Sequence, residues 1–352
     1  MIQLDAPDQL RQIDREGMID RIAELPRQCL DAWNIAQKVT LPADYSVVDG
    51  VVVLGMGGSA IGGDLVRTLI ADELKVPMQV VRDYDLPAFV GPNTLVVASS
   101  YSGSTEETIT AFNGAIARKS KVLAITTGGK IKDMAQRMSF PLVVFDYKAQ
   151  PRAALGFSFV LLLGVLQKLG LVSEVRGLDE AVQVMERSRA RMEPAQPAAS
   201  NPAKQMAQRI HGRLPIVYGG GLLSEVARRW KGQMNENSKA WSYFEVMPEL
   251  NHNAVVGYEF PKDLASKLVV IFLDSNLIHP RTRLRYRITQ DILTKRGVSF
   301  EVVEAEGTSP LAQMMSSIYV GDYVSYYLAI LNRVDPTPVD VISYLKQELA
   351  RA

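Results

Sequence analysis

Val51-Val-Val-Leu-Gly-Met-Gly-Gly-Ser59 is a β-branched run of strand length that breaks into glycines and then into helix-compatible sequence. It has no polar alternation, as expected of a strand buried on both faces of a helix-covered parallel sheet. The same grammar restarts at Pro215-Ile-Val-Tyr-Gly-Gly-Gly221. Two copies of strand, glycine cluster and helix point to a duplicated α/β unit. Further strand-like runs lie at 78–81, 95–98, 122–125 and 142–145, and after the second copy at 243–246, 268–273 and 300–303. Each is expected to lead into a helix. Residues 153–190, 311–331 and 339–350 also read as helical.

Between the two groups of strands, Glu193-Pro-Ala-Gln-Pro-Ala-Ala-Ser-Asn-Pro202 holds three prolines. It is the best linker in the chain, with Asn201 placed to cap the next helix and Pro202 at its first turn. The expected organisation is therefore a domain over 1–190, a linker over 191–203 and a second domain over 204–352. A length of 352 residues agrees, being more than one core usually supports.

Composition narrows the function classes. A formal net charge of +1 provides no overall field for nucleic acid or an anionic membrane. The basic run Arg281-Thr-Arg-Leu-Arg-Tyr-Arg287 reads as the polar side of a helix whose apolar stripe is Leu284, Ile288 and Ile292. Cys29 is the only cysteine and His211, His252 and His279 are scattered, so neither a disulfide nor a metal centre is expected. The charged N-terminal stretch has no signal-peptide core, and the longest apolar run, residues 153–166, is too short to span a bilayer. A cytoplasmic protein without membrane contact is the expectation.

Gly55-Met-Gly-Gly-Ser-Ala60 fits a relaxed dinucleotide fingerprint, with Asp83 near the place of a ribose-binding acid. It fits another phosphate ligand, or plain turn geometry, equally well. In any of these cases Gly57, Gly58 and Ser59 present backbone N–H groups at a helix start. The loop Ser99-Ser-Tyr-Ser-Gly-Ser-Thr-Glu-Glu-Thr108 favours phosphate. It carries six serines and threonines in ten residues, a cradle that a dinucleotide fold does not need. Ser104 and Glu107 also have capping-box spacing, which would use one of those hydroxyls for the helix itself.

Downstream, Trp230-Lys-Gly-Gln-Met-Asn-Glu-Asn-Ser-Lys239 and Phe244-Glu-Val-Met-Pro-Glu-Leu-Asn-His-Asn253 gather carboxylates, amides and a histidine. An enediol isomerisation of a sugar needs this equipment: a group near neutral pKa to open the ring, a carboxylate to move a proton, and a fixed cation for the enediolate. His252 suits the first task and Glu236 or Glu249 the second; spacing does not choose between the two. Arg152 and Lys346 are the candidate cations.

Taken together, Gly55-Met-Gly-Gly-Ser-Ala-Ile-Gly-Gly-Asp64, Ser100-Tyr-Ser-Gly-Ser-Thr105, Pro151-Arg-Ala-Ala-Leu155, Asn235-Glu-Asn237, Pro248-Glu-Leu-Asn-His-Asn253 and Asp335-Pro-Thr-Pro338 resemble the bifunctional phosphoglucose/phosphomannose isomerases of the sugar isomerase (SIS) fold. The resemblance implies two SIS-type domains, each a doubly wound, flavodoxin-like parallel sheet flanked by helices. It implies interconversion of glucose 6-phosphate, and mannose 6-phosphate, with fructose 6-phosphate, without cofactor or metal. It selects Glu236 as the base, His252 for ring opening and Arg152 for the enediolate, with Lys346 completing the site. Gly57, Gly58, Ser59, Ser100, Ser102 and Thr105 would surround the substrate, and Thr337 would bear on acceptance of both sugars. It further implies a homodimer in which His252 reaches the neighbouring subunit's site. The rival from another class is a non-catalytic SIS module that senses a sugar phosphate. Such a module would keep the glycine and hydroxyl loops without needing Glu236, His252 and Arg152 together.

Overall fold

The computed structural model describes residues 3–351. Three helices lead the chain: α1 (Pro7–Ile13), α2 (Met18–Ala23) and α3 (Leu25–Lys38). The first unit follows as β1 (Gly50–Leu54), α4 (Gly57–Leu69), β2 (Met78–Val81), β3 (Thr94–Ser100), α5 (Glu106–Ala117), β4 (Lys121–Thr126), α6 (Gly129–Arg137) and β5 (Leu142–Val144). Its five strands are parallel in the order β2-β1-β3-β4-β5, the flavodoxin-like arrangement. Helices α7 (Leu155–Lys168), α8 (Leu178–Met192) and α9 (Pro202–Ile210) then carry the chain to the second unit.

That unit runs β6 (Leu214–Gly220), α10 (Ser224–Glu236), β7 (Tyr243–Met247), β8 (Leu268–Asp274), α11 (Pro280–Lys295), β9 (Ser299–Glu304), α12 (Pro310–Leu331) and α13 (Asp340–Leu349). Its four parallel strands take the order β7-β6-β8-β9. This is the first sheet's order without its last strand, as a duplication requires. All nine strand-like runs are strands.

Three expectations need correction. No helix joins β2 to β3, and the matching connection from β7 to β8 contains only 3₁₀ turns over 249–267. Residues 153–190 are two helices rather than one, broken over 169–177 where Gly170 and Gly177 adopt φ of 71° and 86°. On α11 the buried stripe is Tyr286, Thr289 and Leu293, while Ile288 is exposed. The buried face lies about one residue on from the apolar reading, and Arg283 pairs with Asp274 at the end of β8.

Two helices are enclosed by the rest of the fold. From Leu155 to Leu166 every residue of α7 is buried, and on α12 all are buried except Pro310, Val320 and Leu331. α7 lies between α3 and α4, whereas α12 lies against α8, α9 and α10. Gly321 of α12 lets Trp230 of α10 approach closely, and the Trp230 indole N–H donates to the Ser317 carbonyl at 2.9 Å. One apolar cluster runs from Leu4 to Ile330 through both units. Asn201 caps α9, accepting from Lys204 N at 3.0 Å with Pro202 at the first turn. Among the described residues no helix is long and apolar enough to cross a membrane.

Candidate active site

The strand order reverses between β1 and β3, and at the carboxyl ends of such strands a crevice opens in doubly wound sheets. Here β1 passes through Gly55 and Met56 into α4, and β3 passes through the hydroxyl loop into α5. Ser59 ties the two starts together. Its Oγ accepts from Tyr101 N at 3.0 Å, and its carbonyl accepts from Ser99 Oγ at 3.3 Å. Within the loop, Ser100 Oγ accepts from Gly103 N at 3.2 Å and donates to Thr105 Oγ1 at 3.4 Å, while Ser102 Oγ accepts from Ser104 N. Gly103 is required: it has φ 62°, and a Cβ there would sit 1.8 Å from the Gly128 carbonyl oxygen.

The expected capping box does not form. α5 starts one residue later, with Thr105 at the cap position and no side-chain cap bond. Ser100, Ser102 and Thr105 are thus engaged within the loop, with Gly103 N, Ser104 N and one another, and not with the helix ladder. That leaves two helix N-termini, α4 and α5, laced side by side with free N–H groups, an arrangement suited to an oxyanion.

α4 faces the second unit across a cleft of about 270 Å³ lined by Gly57, Gly58, Arg82, Arg152, Arg229, Gln233, Asn235 and Glu236, with Ile342 of α13 at its edge. The approach at Gly58 is tight, since a Cβ would meet Arg152 N and Pro151 C at 2.7 Å. Arg152 is buried and fixed on all sides. Its Nε donates to Asn237 Oδ1 at 2.6 Å, and Nη2 donates to the carbonyls of Pro336 and Thr337 at 2.7 and 2.8 Å. Nη1 points to Glu236, 3.4 Å from Oε2. Burial lowers the Arg152 pKa and the Glu236 carboxylate opposes that shift.

Glu236 is the last residue of α10 and stays partly open, with 29% of its side chain exposed. Behind it stands a buried network that the sequence reading did not identify. Arg229 donates to the Arg152 carbonyl at 2.8 Å and to both oxygens of Asp322 at 3.1 Å, and Gln233 donates to Asp322 at 2.7 Å. Burial pushes the Asp322 carboxyl upward, and Arg229 and Gln233 pull it back. Residues 229, 233, 236 and 237 recur at the spacing of one helix face, a signal available in the sequence. Their partner Asp322, inside the apolar α12, was the part that pattern could not supply.

Of the sequence candidates, the cleft brings together Gly57, Gly58, Arg152 and Glu236, and Ser59 joins it to Ser100, Ser102 and Thr105. Thr337 is buried, its carbonyl on Arg152 and its Oγ1 without a hydrogen-bond partner. Lys346 lies one turn beyond Ile342 on the same face of exposed α13, and does not line the cleft. His252 is exposed after β7 and is also outside it. Glu249 accepts from Asn253 Nδ2 at 2.9 Å. The Nδ1 of His279 caps α11, accepting from Arg281 N. Cys29 is buried, which pushes its thiol up to about 12. Among the described residues no group of three or more His, Cys, Asp or Glu is placed to hold a metal.

Residues 199–349 match the model of the bacterial phospho-glucose isomerase C-terminal SIS domain. The chain is 44% identical over 335 residues to a bifunctional phosphoglucose/phosphomannose isomerase of Caldicellulosiruptor bescii, covering 95% of this chain and 99% of that protein. It is 38% identical to the protein of the same description from Aquifex aeolicus, over 88% and 92% of the two chains. The crystal structure of a glucose-6-phosphate isomerase like protein from Thermus thermophilus superposes over 99% of both chains, with TM-score 0.63 and 19% identity, a likeness of fold.

Proposed function

The chain belongs to the bifunctional phosphoglucose/phosphomannose isomerase family, and from that premise we propose that it is an enzyme interconverting glucose 6-phosphate and mannose 6-phosphate with fructose 6-phosphate. The observation that carries the mechanism is the Glu236 carboxylate held 3.4 Å from the buried Arg152 guanidinium in the cleft beneath Gly58. The phosphate binds the α4 start and the hydroxyls of Ser100, Ser102 and Thr105, which fix the sugar chain relative to the cleft. Glu236 removes the C2 proton of the open-chain aldose as the C1 carbonyl electrons move onto oxygen. It then returns a proton to C1 while the C2 hydroxyl proton passes to the C1 oxygen, leaving the ketone at C2 and a hydroxyl at C1. Arg152 Nη1 stabilises the enediolate between those steps, its other donors being already committed to the protein. Glucose and mannose phosphates carry the C2 proton on opposite faces. One base therefore serves both only where the enediol turns within the cleft; the buried Thr337, whose carbonyl holds Arg152, would bear on that through the guanidinium.

We assign ring opening to His252, contributed by a second subunit, because within one chain it lies away from the cleft. A dimer also accounts for the exposed apolar side chains near the cleft. Val341, Ile342 and Leu345 on α13, and Trp241 and Tyr243 beside the open edge of β7, have no cover in the single chain. Lys346, on the same helix, would complete the site once α13 is covered. A cytoplasmic location fits the single buried thiol.

Glu236→Gln tests the assignment. Isomerisation should fall by at least about a thousandfold while sugar-phosphate binding, followed by calorimetry, changes little. Retained turnover would reject Glu236 as the base.

A further inference from the structure

Lys239 follows the α10 terminus on a second cavity of about 740 Å³, separated from the cleft by Asn235 and Glu236. Its Nζ donates to the Glu236 carbonyl at 2.8 Å and to the Pro336 carbonyl at 3.2 Å. The Pro336 carbonyl is also the acceptor of Arg152 Nη2. One ammonium therefore fastens the backbone of the base to the loop that holds the enediolate's cation. Resting on the reading of Glu236 and Arg152 above, we propose that Lys239 is a positioning residue that sets the Arg152–Glu236 geometry by clamping the 336–337 loop to the end of α10.

The clamp depends on charge, because a charge-assisted bond to a carbonyl is about twice as strong as a neutral one. Partial desolvation, then the Arg152 guanidinium, lower the Lys239 pKa to about 8; Asp335 on the loop, Glu236 on α10 and Asp340 on α13 act against that. The sign follows directly. Below pH 8 Nζ is an ammonium and the clamp is intact. Above it the charge is lost in the folded protein well before an ordinary lysine would titrate near ~10.4. A neutral Nζ still donates, but weakly, so the loop loosens and Arg152 drifts from the carboxylate.

The test uses the full-length protein and steady-state kinetics with glucose 6-phosphate from pH 6 to 10. Lys239→Met should lower kcat about tenfold or more with KM within about twofold, since the phosphate loops are untouched. Lys239→Arg should restore kcat near pH 7 and remove the alkaline fall centred near 8, because a guanidinium stays charged. Thermal melts of both variants check that the fold is kept. Wild-type kcat and pH profile in Lys239→Met, or no rescue by arginine, would overturn the proposal. Glu236→Gln in the same series separates the two readings: undiminished turnover there removes the base and the clamp together. Loss there with an unaffected Lys239→Met removes the clamp alone.

Discussion

Arg152 is held by two stretches of chain, the end of α10 at Glu236 and Asn237 and the carbonyls of Pro336 and Thr337. A guanidinium so committed is fixed before any substrate arrives, which is the condition for the electrostatic preorganisation we propose. Gly58 guards that arrangement, since any side chain there meets the Arg152 backbone at 2.7 Å. Gly58→Ala should therefore lower kcat/KM on the order of a hundredfold through displacement of Arg152, and lower the melting temperature as well, since the displaced guanidinium is buried. A value near wild type would mean that the loop yields without consequence. At this scale the sequence named Arg152, Glu236 and the glycine turn from residue type and motif. It did not reveal the carbonyls that orient Arg152, because a backbone acceptor leaves no mark in composition. Local spacing did not separate Glu236 from Glu249, which differ in what surrounds them; the family resemblance made that choice.

At the scale of elements, the strands were legible and the helix ends less so. Buried parallel strands are written as continuous Val, Ile and Leu runs, and all nine are strands. The Ser104–Glu107 spacing suggested a cap that did not form, because Gly103 at φ 62° turns the loop so that the hydroxyls meet one another. On α11 the buried face is Tyr286, Thr289 and Leu293 and not the stripe of Leu284, Ile288 and Ile292, so periodicity alone misplaced it by about one residue. The contact between α10 and α12 decides more than packing, for it carries the buried Arg229–Asp322 pair that supports Arg152 from behind. Asp322→Ala leaves that guanidinium buried and unpaired, and should cost about 3–5 kcal/mol in chemical denaturation. A loss under about 1 kcal/mol would place Arg229 in contact with solvent instead.

At the scale of the whole molecule, two units of the same strand order share one continuous apolar core, so the proposed division at 191–203 is a boundary of sequence repeats more than of packing. The cleft lies between the units and is lined by both, with Gly57, Gly58 and Arg82 from the first and Gln233, Asn235 and Glu236 from the second. His252 and Lys346 stand apart from it; the dimer reading accounts for both, and a subunit-mixing experiment tests it for His252. Hybrids of Glu236→Gln and His252→Ala subunits contain one site with both residues intact. Random mixing should restore about a quarter of wild-type activity if His252 crosses the interface, and none if each chain uses its own.

The most direct test of the account incubates the purified protein in deuterium oxide with glucose 6-phosphate and mannose 6-phosphate separately, following fructose 6-phosphate by NMR over many turnovers. The account predicts product from both sugars, with solvent deuterium at C1 delivered by a carboxylate that exchanges with water between abstraction and return. No product from either sugar, or product from which solvent deuterium is wholly absent, would contradict it.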